Sequence, residues 1–291
     1  MQRRQFIALA GIAAIESSGL ASASNTAKRR WQLDGVGSIG RVGVLTPDFD
    51  PVPESEMWAM APQGVSIHTS RVAWARSDGP RAFTEPLRID NAIEQLVELK
   101  PRAIVYAFTS SSYELGTEAD SVLQTRLEKR AGGVSVILTC QAATEALRTL
   151  GANRIALIHP PWFREESNAK GREYFKGQGF EVVFSSRVAP ERPFTEVPPA
   201  EVYEWVKTNV PRQAEAVFIG GNGLRAIGAI QSLEESIDRP VLTANQVVLW
   251  KALQVVSATA KLELRIRRNV GVGNSFHEKA GLCQERIALS L

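Results

Sequence analysis

Short apolar runs separated by polar, helix-periodic stretches set the rhythm of this chain. Val42 to Leu45 is an apolar run that ends at Thr46-Pro47, the pattern of a buried strand entering a loop. Asp48 to Pro53 carries two prolines and is expected to be irregular. Gly64 to His68 alternates and reads as a second strand. Asp90 is placed to cap a helix with Ile93, Leu96 and Val97 on its apolar face, ended by Lys100-Pro101. A strand from Ala103 to Ala107 leads into a small polar loop, Phe108 to Ser112. A helix through Leu123 and Leu127 stops at Gly132-Gly133. A strand, Val134 to Leu138, and a helix, Thr139 to Leu150, close the first half at Gly151.

The second half follows the same order. It predicts strand Ile155–Ile158, helix Glu165–Lys176, strand Glu181–Phe184, a proline-rich loop from Pro190 to Pro199 and helix Ala200–Val206. Strand Ala216–Ile219 then runs into Gly220-Gly-Asn-Gly223, followed by helix Leu224–Leu233, strand Val241–Thr243 and helix Val247–Leu253. Two segments match at one spacing. Arg41 to Pro47 resembles Arg154 to Pro160, and Ala103 to Phe108 resembles Ala216 to Gly221, each 113 positions later.

Strands alternating with helices imply parallel sheets with helices on both faces. With the repeat, the expected fold is α/β: two similar parallel-sheet domains related by internal duplication, with a cleft between them. The domains are placed at 41–150 and 151–256, the last helix being a candidate to pack back on the first. Residues 257–291 read as a poorly specified tail.

Composition narrows this picture slightly. Hydrophobic residues make up 44% and charged residues 22% of 291 positions, as in a soluble globular protein. A net charge of +3, scattered along the chain, argues against nucleic acid as a partner; the dense cluster Arg265-Ile-Arg-Arg268 reads as solvated surface. Cys140 and Cys283 form no zinc pattern and no disulfide framework, so no metal is expected. At the N-terminus, Arg3-Arg4 precedes an apolar run from Phe6 to Ile15 and then Ala21-Ser-Ala-Ser24. Residues 1–30 thus read as an export signal of twin-arginine type plus linker, implying a periplasmic or exported protein; cytoplasmic residence is the alternative. The run is too short for a stable membrane anchor. Oligomeric state is not legible.

In parallel sheets, ligands bind at the carboxyl ends of the strands. Four segments end there: Thr46-Pro47-Asp48, Phe108 to Ser112, His159 to Trp162 and Gly220 to Gly223. Their glycines, hydroxyls and free amides, with helix N-termini behind, suit a carboxylate. Ordinary strand-to-helix turns have the same composition. Pro47, Thr109, Ser110, Ser111, Gly221 and Asn222 are the candidate carboxylate-binding residues. His159 is a candidate proton donor and Asp48 a second one, against the plainer readings of a backbone-capping histidine and an Asx-turn aspartate. No cofactor is indicated, since Gly220-Gly-Asn-Gly223 does not fit GxGxxG and no phosphate-loop pattern occurs.

The run Ala103-Ile-Val-Tyr-Ala-Phe-Thr-Ser-Ser-Ser112 with Gly116 resembles the aspartate/glutamate racemase superfamily, in its maleate isomerase and arylmalonate decarboxylase branch. Glu145 to Gly151 with Arg154 to Leu157, Gly179 to Val182, Ala216 to Ile219 with Leu224-Arg225, Thr243 to Gln246 with Leu249-Trp250, and Thr46-Pro47 with Pro51 to Glu54 extend the likeness over about Arg41 to Leu253. The resemblance implies a small carboxylate or dicarboxylate held between two α/β domains, Thr109 and Ser110 at the hydroxyl positions of the pocket, and one or two cysteines acting on the substrate carbon. At the cysteine positions this chain has Phe108 and Gly221, and the family's tyrosine position falls at Pro161 or Trp162. Three functions stay open: a lyase or isomerase working through an enediolate without cysteine, a non-catalytic carboxylate-binding protein, and an inactive family member.

Overall fold

The computed structural model describes residues 35–188, 192 and 196–264, with backbone alone for 258–264. The export-signal pattern, half of the proline-rich stretch, the Arg265 cluster and Cys283 lie outside the described residues. The first half runs β1 (Gly40–Pro47), α1 (Val52–Met60), β2 (Val65–Val72), α2 (Gly79–Ala82), α3 (Pro86–Glu98), β3 (Ala103–Tyr106), α4 (Thr109–Arg130), β4 (Ser135–Leu138) and α5 (Thr139–Thr149). The second runs β5 (Arg154–His159), α6 (Glu165–Gly177), β6 (Glu181–Arg187), α7 (Pro199–Asn209), β7 (Ala216–Ile219), α8 (Ile230–Ile237), β8 (Val241–Thr243) and α9 (Ala244–Leu264).

The strands form two four-stranded parallel sheets with the same order, β2-β1-β3-β4 and β6-β5-β7-β8. The repeat survives in register: Val42 lies opposite Ala103, and Ile155, 113 positions on, lies opposite Ala216. The central strands β3 and β7 are buried at every residue, as strands covered by helices on both faces must be. Alternate side chains of the first sheet serve different cores. Leu45, Ile104 and Tyr106 pack with Phe83, Ile89, Ile93 and Leu127. Val42, Val44, Ala103 and Val105 face the other way, into a core continuous with that of the second sheet. Helix α9 follows β8 of the second sheet but packs on α1, α5 and β3 of the first half.

Several boundaries differ from the sequence expectation. Helix α1 starts at Val52, inside the stretch expected to be irregular, because a proline in the first helical turn lacks only an N–H that has no partner there. Helix α3 begins at Pro86, so Asp90 is not its cap; Asp90 instead pairs with Arg126, 3.3 Å away. Thr109 to Ser112 is the first turn of α4 rather than a loop, and Gly116 (φ 74°) kinks that helix. The helix expected from Leu224 is replaced by a turn, a 3₁₀ segment (Ile227–Ala229) and then α8. Helix α9 runs through Ser257, where a tail was expected.

The two halves are joined by buried polar groups. The Thr109 amide donates to Asn222 Oδ1 (2.9 Å), as does its hydroxyl (2.8 Å), and the Gly221 amide donates to Thr109 Oγ1 (3.1 Å). Asn222 Nδ2 donates to Asn245 Oδ1 (3.0 Å), and Asn245 Nδ2 donates to Asn222 O and to Glu56 Oε2. Glu56, on α1, accepts the amides of Ala226 (2.8 Å) and Ile227 (3.1 Å) with Oε1. Glu56 of the other half thus caps the 3₁₀ segment that stands where a helix from Leu224 was expected. Replacing Asn222→Ala strands buried donors on Thr109 and an acceptor on Asn245. It is expected to lower unfolding free energy by about 2–4 kcal/mol in urea titrations. A loss below about 1 kcal/mol, the net worth of one ordinary hydrogen bond, would show that the network does not act as a unit.

Candidate active site

A cavity of about 430 Å³ opens where the carboxyl ends of both sheets meet. The first half contributes Pro47 at the end of β1 and Asp50 from the turn after it, Trp74 and Arg76 from the segment after β2, and Phe108 to Ser110 at the start of α4. The second half contributes Trp162 to Arg164 after β5 and Gly221 to Gly223 after β7. One wall is aromatic. Trp74 stacks on Phe49 (5.8 Å between centroids) and meets Phe108 edge-on (4.9 Å), and Phe108 lies 4.6 Å from Phe83. The Arg76 guanidinium sits 4.8 Å over the Phe49 ring. At the rim, Lys170 pairs with Glu114 (2.7 Å) and Glu166 (2.8 Å).

The carboxylate-binding candidates divide. Pro47, Thr109, Ser110, Gly221 and Asn222 line the cavity, but Ser111 does not. Its hydroxyl is fully buried against Tyr106 Oη and the Phe108 carbonyl, both 3.0 Å away. The Thr109 hydroxyl and Asn222 Oδ1 engage each other at the cavity wall, Oδ1 also accepting the Thr109 amide and the Thr139 hydroxyl, while one of the two Nδ2 hydrogens of Asn222 goes to Asn245. The donors left at the cavity wall include the Ser110 hydroxyl, the second Nδ2 hydrogen of Asn222 and main-chain N–H groups. The first-turn amides of Ser110 and Ser111 have no acceptor within α4, by helix geometry. Gly221 is held at φ 85°, and a Cβ there would overlap the Pro160 ring.

Neither candidate proton donor lines the cavity. His159 belongs to the core: it is fully buried, Nε2 lies 3.1 Å from Ser185 Oγ, and the ring stacks on Phe163 and abuts Tyr113 edge-on. Burial, and secondarily the Arg172 charge, push its pKa down to about 3, so it stays neutral and away from the cavity. Asp48 occupies an exposed turn, its amide donating to Val72 O, and does not line the cavity. Strand β5 carries His159 inward because its side chains alternate between faces that are both covered. Cys140, in the first turn of α5, is fully buried with Sγ 3.9 Å from Thr109 O; burial pushes its thiol pKa well up.

Asp50 is the buried carboxyl of the cavity, and the sequence reading passed over it. Its amide closes the turn onto Pro47 O (3.1 Å), and its Oδ1 accepts the Val52 amide (3.0 Å), an Asx turn at the head of α1. It is 5% exposed, and burial raises its pKa to about 6 against the opposing pull of the Val52 amide, Arg71 and Arg76. Glu56 is likewise raised to about 6 by burial, despite its hydrogen bonds. Recognising α1 from Asp50-Pro-Val-Pro-Glu54 would have found Asp50, since an acidic residue just ahead of a proline-started helix is a helix-entry signal.

These raised values link stability to pH. The folded chain holds protons that the unfolded chain releases, so the stabilisation is complete below the unfolded values near pH 4 and is lost as pH rises through about 6. Asp50→Asn keeps the acceptor for Val52 and removes the ionisation. Relative to the parent, the variant is expected to gain about 1–3 kcal/mol between pH 4.5 and 7.5 in urea unfolding. A difference that stays constant across that range would contradict the raised pKa.

A family model described as arylmalonate decarboxylase matches residues 77–265. The maleate isomerase of Geobacillus stearothermophilus is 23% identical over 229 residues, covering 74% of this chain and 90% of that protein. Among solved structures, a cysteine-to-serine mutant of Nocardia farcinica maleate cis-trans isomerase, with a covalently bound succinylcysteine intermediate, superposes with a TM-score of 0.67 at 19% identity, covering 75% of this chain and 93% of that one. A glycine-to-cysteine mutant of arylmalonate decarboxylase, in its sulfate ion associated form, has a TM-score of 0.62 at 16% identity, covering 75% and 93%. With the paired sheets and the cleft at their carboxyl ends, the family match over most of the chain shows that this protein belongs to the arylmalonate decarboxylase family.

Proposed function

We propose that the cavity binds a small carboxylate and decarboxylates it through an enediolate, without a cofactor and without the cysteine chemistry of the family. The observation that carries this reading is the pairing, in one cavity, of an aromatic wall (Phe49, Trp74, Phe108) with uncommitted hydrogen-bond donors at the start of α4. Cleaving a carbon–carboxylate bond leaves an electron pair that the remaining carboxyl group takes up as an enediolate. Preorganised N–H and O–H donors stabilise that charge as it develops. A carboxylate lying against aromatic rings sheds its water, which favours loss of CO₂.

Isomerising a double bond is less well supported. It needs a nucleophile that adds and leaves so that the bond can rotate. Among the described residues no cysteine lines the cavity; Phe108 and Gly221 stand at the positions the resemblance assigns to the family cysteines. A cavity of about 430 Å³ lies in the range that accepts a ligand of one ring and two carboxyl groups.

The test is a thermal-shift panel of malonate, phenylmalonate, maleate, aspartate and a hydantoin, followed by product analysis on every binder. Phenylmalonate is expected to raise Tm and to release CO₂ and phenylacetate. Binding without product would convert the reading to a carboxylate-binding protein. Fumarate formed from maleate would favour isomerisation instead, and no shift with any carboxylate would remove the proposal.

A further inference from the structure

We propose that Asp50 is the catalytic acid of this cavity, delivering the proton that the enediolate takes up at its α-carbon. This rests on the decarboxylation reading above and assigns the residue that replaces a thiol in it.

Asp50 lines the cavity beside Pro47 and opposite the start of α4. Among the described residues its carboxyl accepts one hydrogen bond, from Val52 to Oδ1, so Oδ2 remains for a substrate. The residue is also held firmly. The Asp50 amide donates to Pro47 O, and Arg71 donates to the Asp50 carbonyl (2.9 Å) while its other nitrogen holds Glu54 (2.6 Å). A positioned group with one free oxygen is what proton transfer requires.

Competing donors are weaker candidates. Glu114 and Glu166 stand at the rim, each bonded to Lys170. His159 and Cys140 lie in the core and do not line the cavity. The charged groups acting on Asp50 are Arg71 from β2, Arg76 from the segment beyond it, and Glu56 from α1. Both arginines favour the carboxylate, whereas burial and Glu56 oppose it. Burial is the largest effect, which leaves a protonated fraction available near neutral pH.

The step balances. In a bound arylmalonate dianion the bond from the α-carbon to one carboxylate breaks and CO₂ leaves. Its electron pair enters the other carboxyl group as the enediolate. The Asp50 carboxyl proton moves to the α-carbon, and the Asp50 carboxylate regains a proton from water. The sum is one dianion and one proton giving one monoanion and CO₂.

The experiment compares parent, Asp50→Asn and Asp50→Glu on phenylmalonate across pH 5 to 8. Asp50→Asn keeps the Asx turn, so lost activity cannot be assigned to a lost helix cap. The parent kcat is expected to fall as pH rises through about 6. Asp50→Asn is expected to lower kcat by about 10²-fold or more with KM nearly unchanged, and to abolish that fall with pH. Asp50→Glu should recover part of the loss. An Asp50→Asn variant with parental kcat and the same pH profile overturns the assignment while the decarboxylase reading stands. A parent inactive on every substrate removes that reading first, and this inference with it.

Discussion

The structure turns on the contact between Thr109 and Asn222. These residues are separated by 113 positions, the spacing of the internal repeat, and they touch. Equivalent residues of two related halves can meet only where the relating axis passes between them, as at a twofold interface between identical subunits. The contact therefore marks the centre of the duplication. From there the network extends through Asn245 to Glu56, and Glu56 reaches back to the amides of Ala226 and Ile227. Each donor along this path has an acceptor, which makes burial of so many polar atoms tolerable.

That network also shapes the chemistry of the cavity. The hydroxyl of Thr109 and the amide of Asn222 look, in sequence, like ligands for a substrate carboxylate. In the fold their oxygens engage each other's groups, and the Ser110 hydroxyl and the first-turn amides of α4 remain as donors at the cavity. The cavity beside them is apolar on the Trp74 and Phe108 side and carries one buried carboxyl, Asp50. Gly221 cannot gain a side chain without displacing Pro160, so the second half supplies backbone rather than a reactive group at this point. The two halves share a sheet order but have diverged in what they place at the strand ends. The first gives rings and an acid; the second gives a glycine turn and Trp162.

The architecture was legible because its signals are local. Runs such as Ala103 to Ala107 and Ala216 to Ile219 are apolar throughout, which a doubly covered strand demands, and the repeat made the pairing of halves explicit. Helix entry was less legible. Prolines at 51 and 53 read as breakers, yet they open α1, since the cost of proline vanishes in a first turn. The stretch after Gly221 has a helical composition, but it folds as a turn and a short 3₁₀ segment whose first amides bond Glu56, 170 residues away in sequence.

The chain by itself determined the α/β class, the duplication, the strand ends at which a cleft forms, and membership in a family resembling maleate isomerase and arylmalonate decarboxylase. Tertiary structure alone decided which polar residues face a ligand. His159 and Asp50 illustrate the difference. Both follow or precede strand-end prolines, and both have side chains suited to acid–base work. One is turned into a core of Phe163 and Tyr113, and the other is aimed into the cavity by a turn closed on Pro47. Residue type and spacing are properties of the chain, whereas the direction of a side chain depends on packing between segments far apart in it.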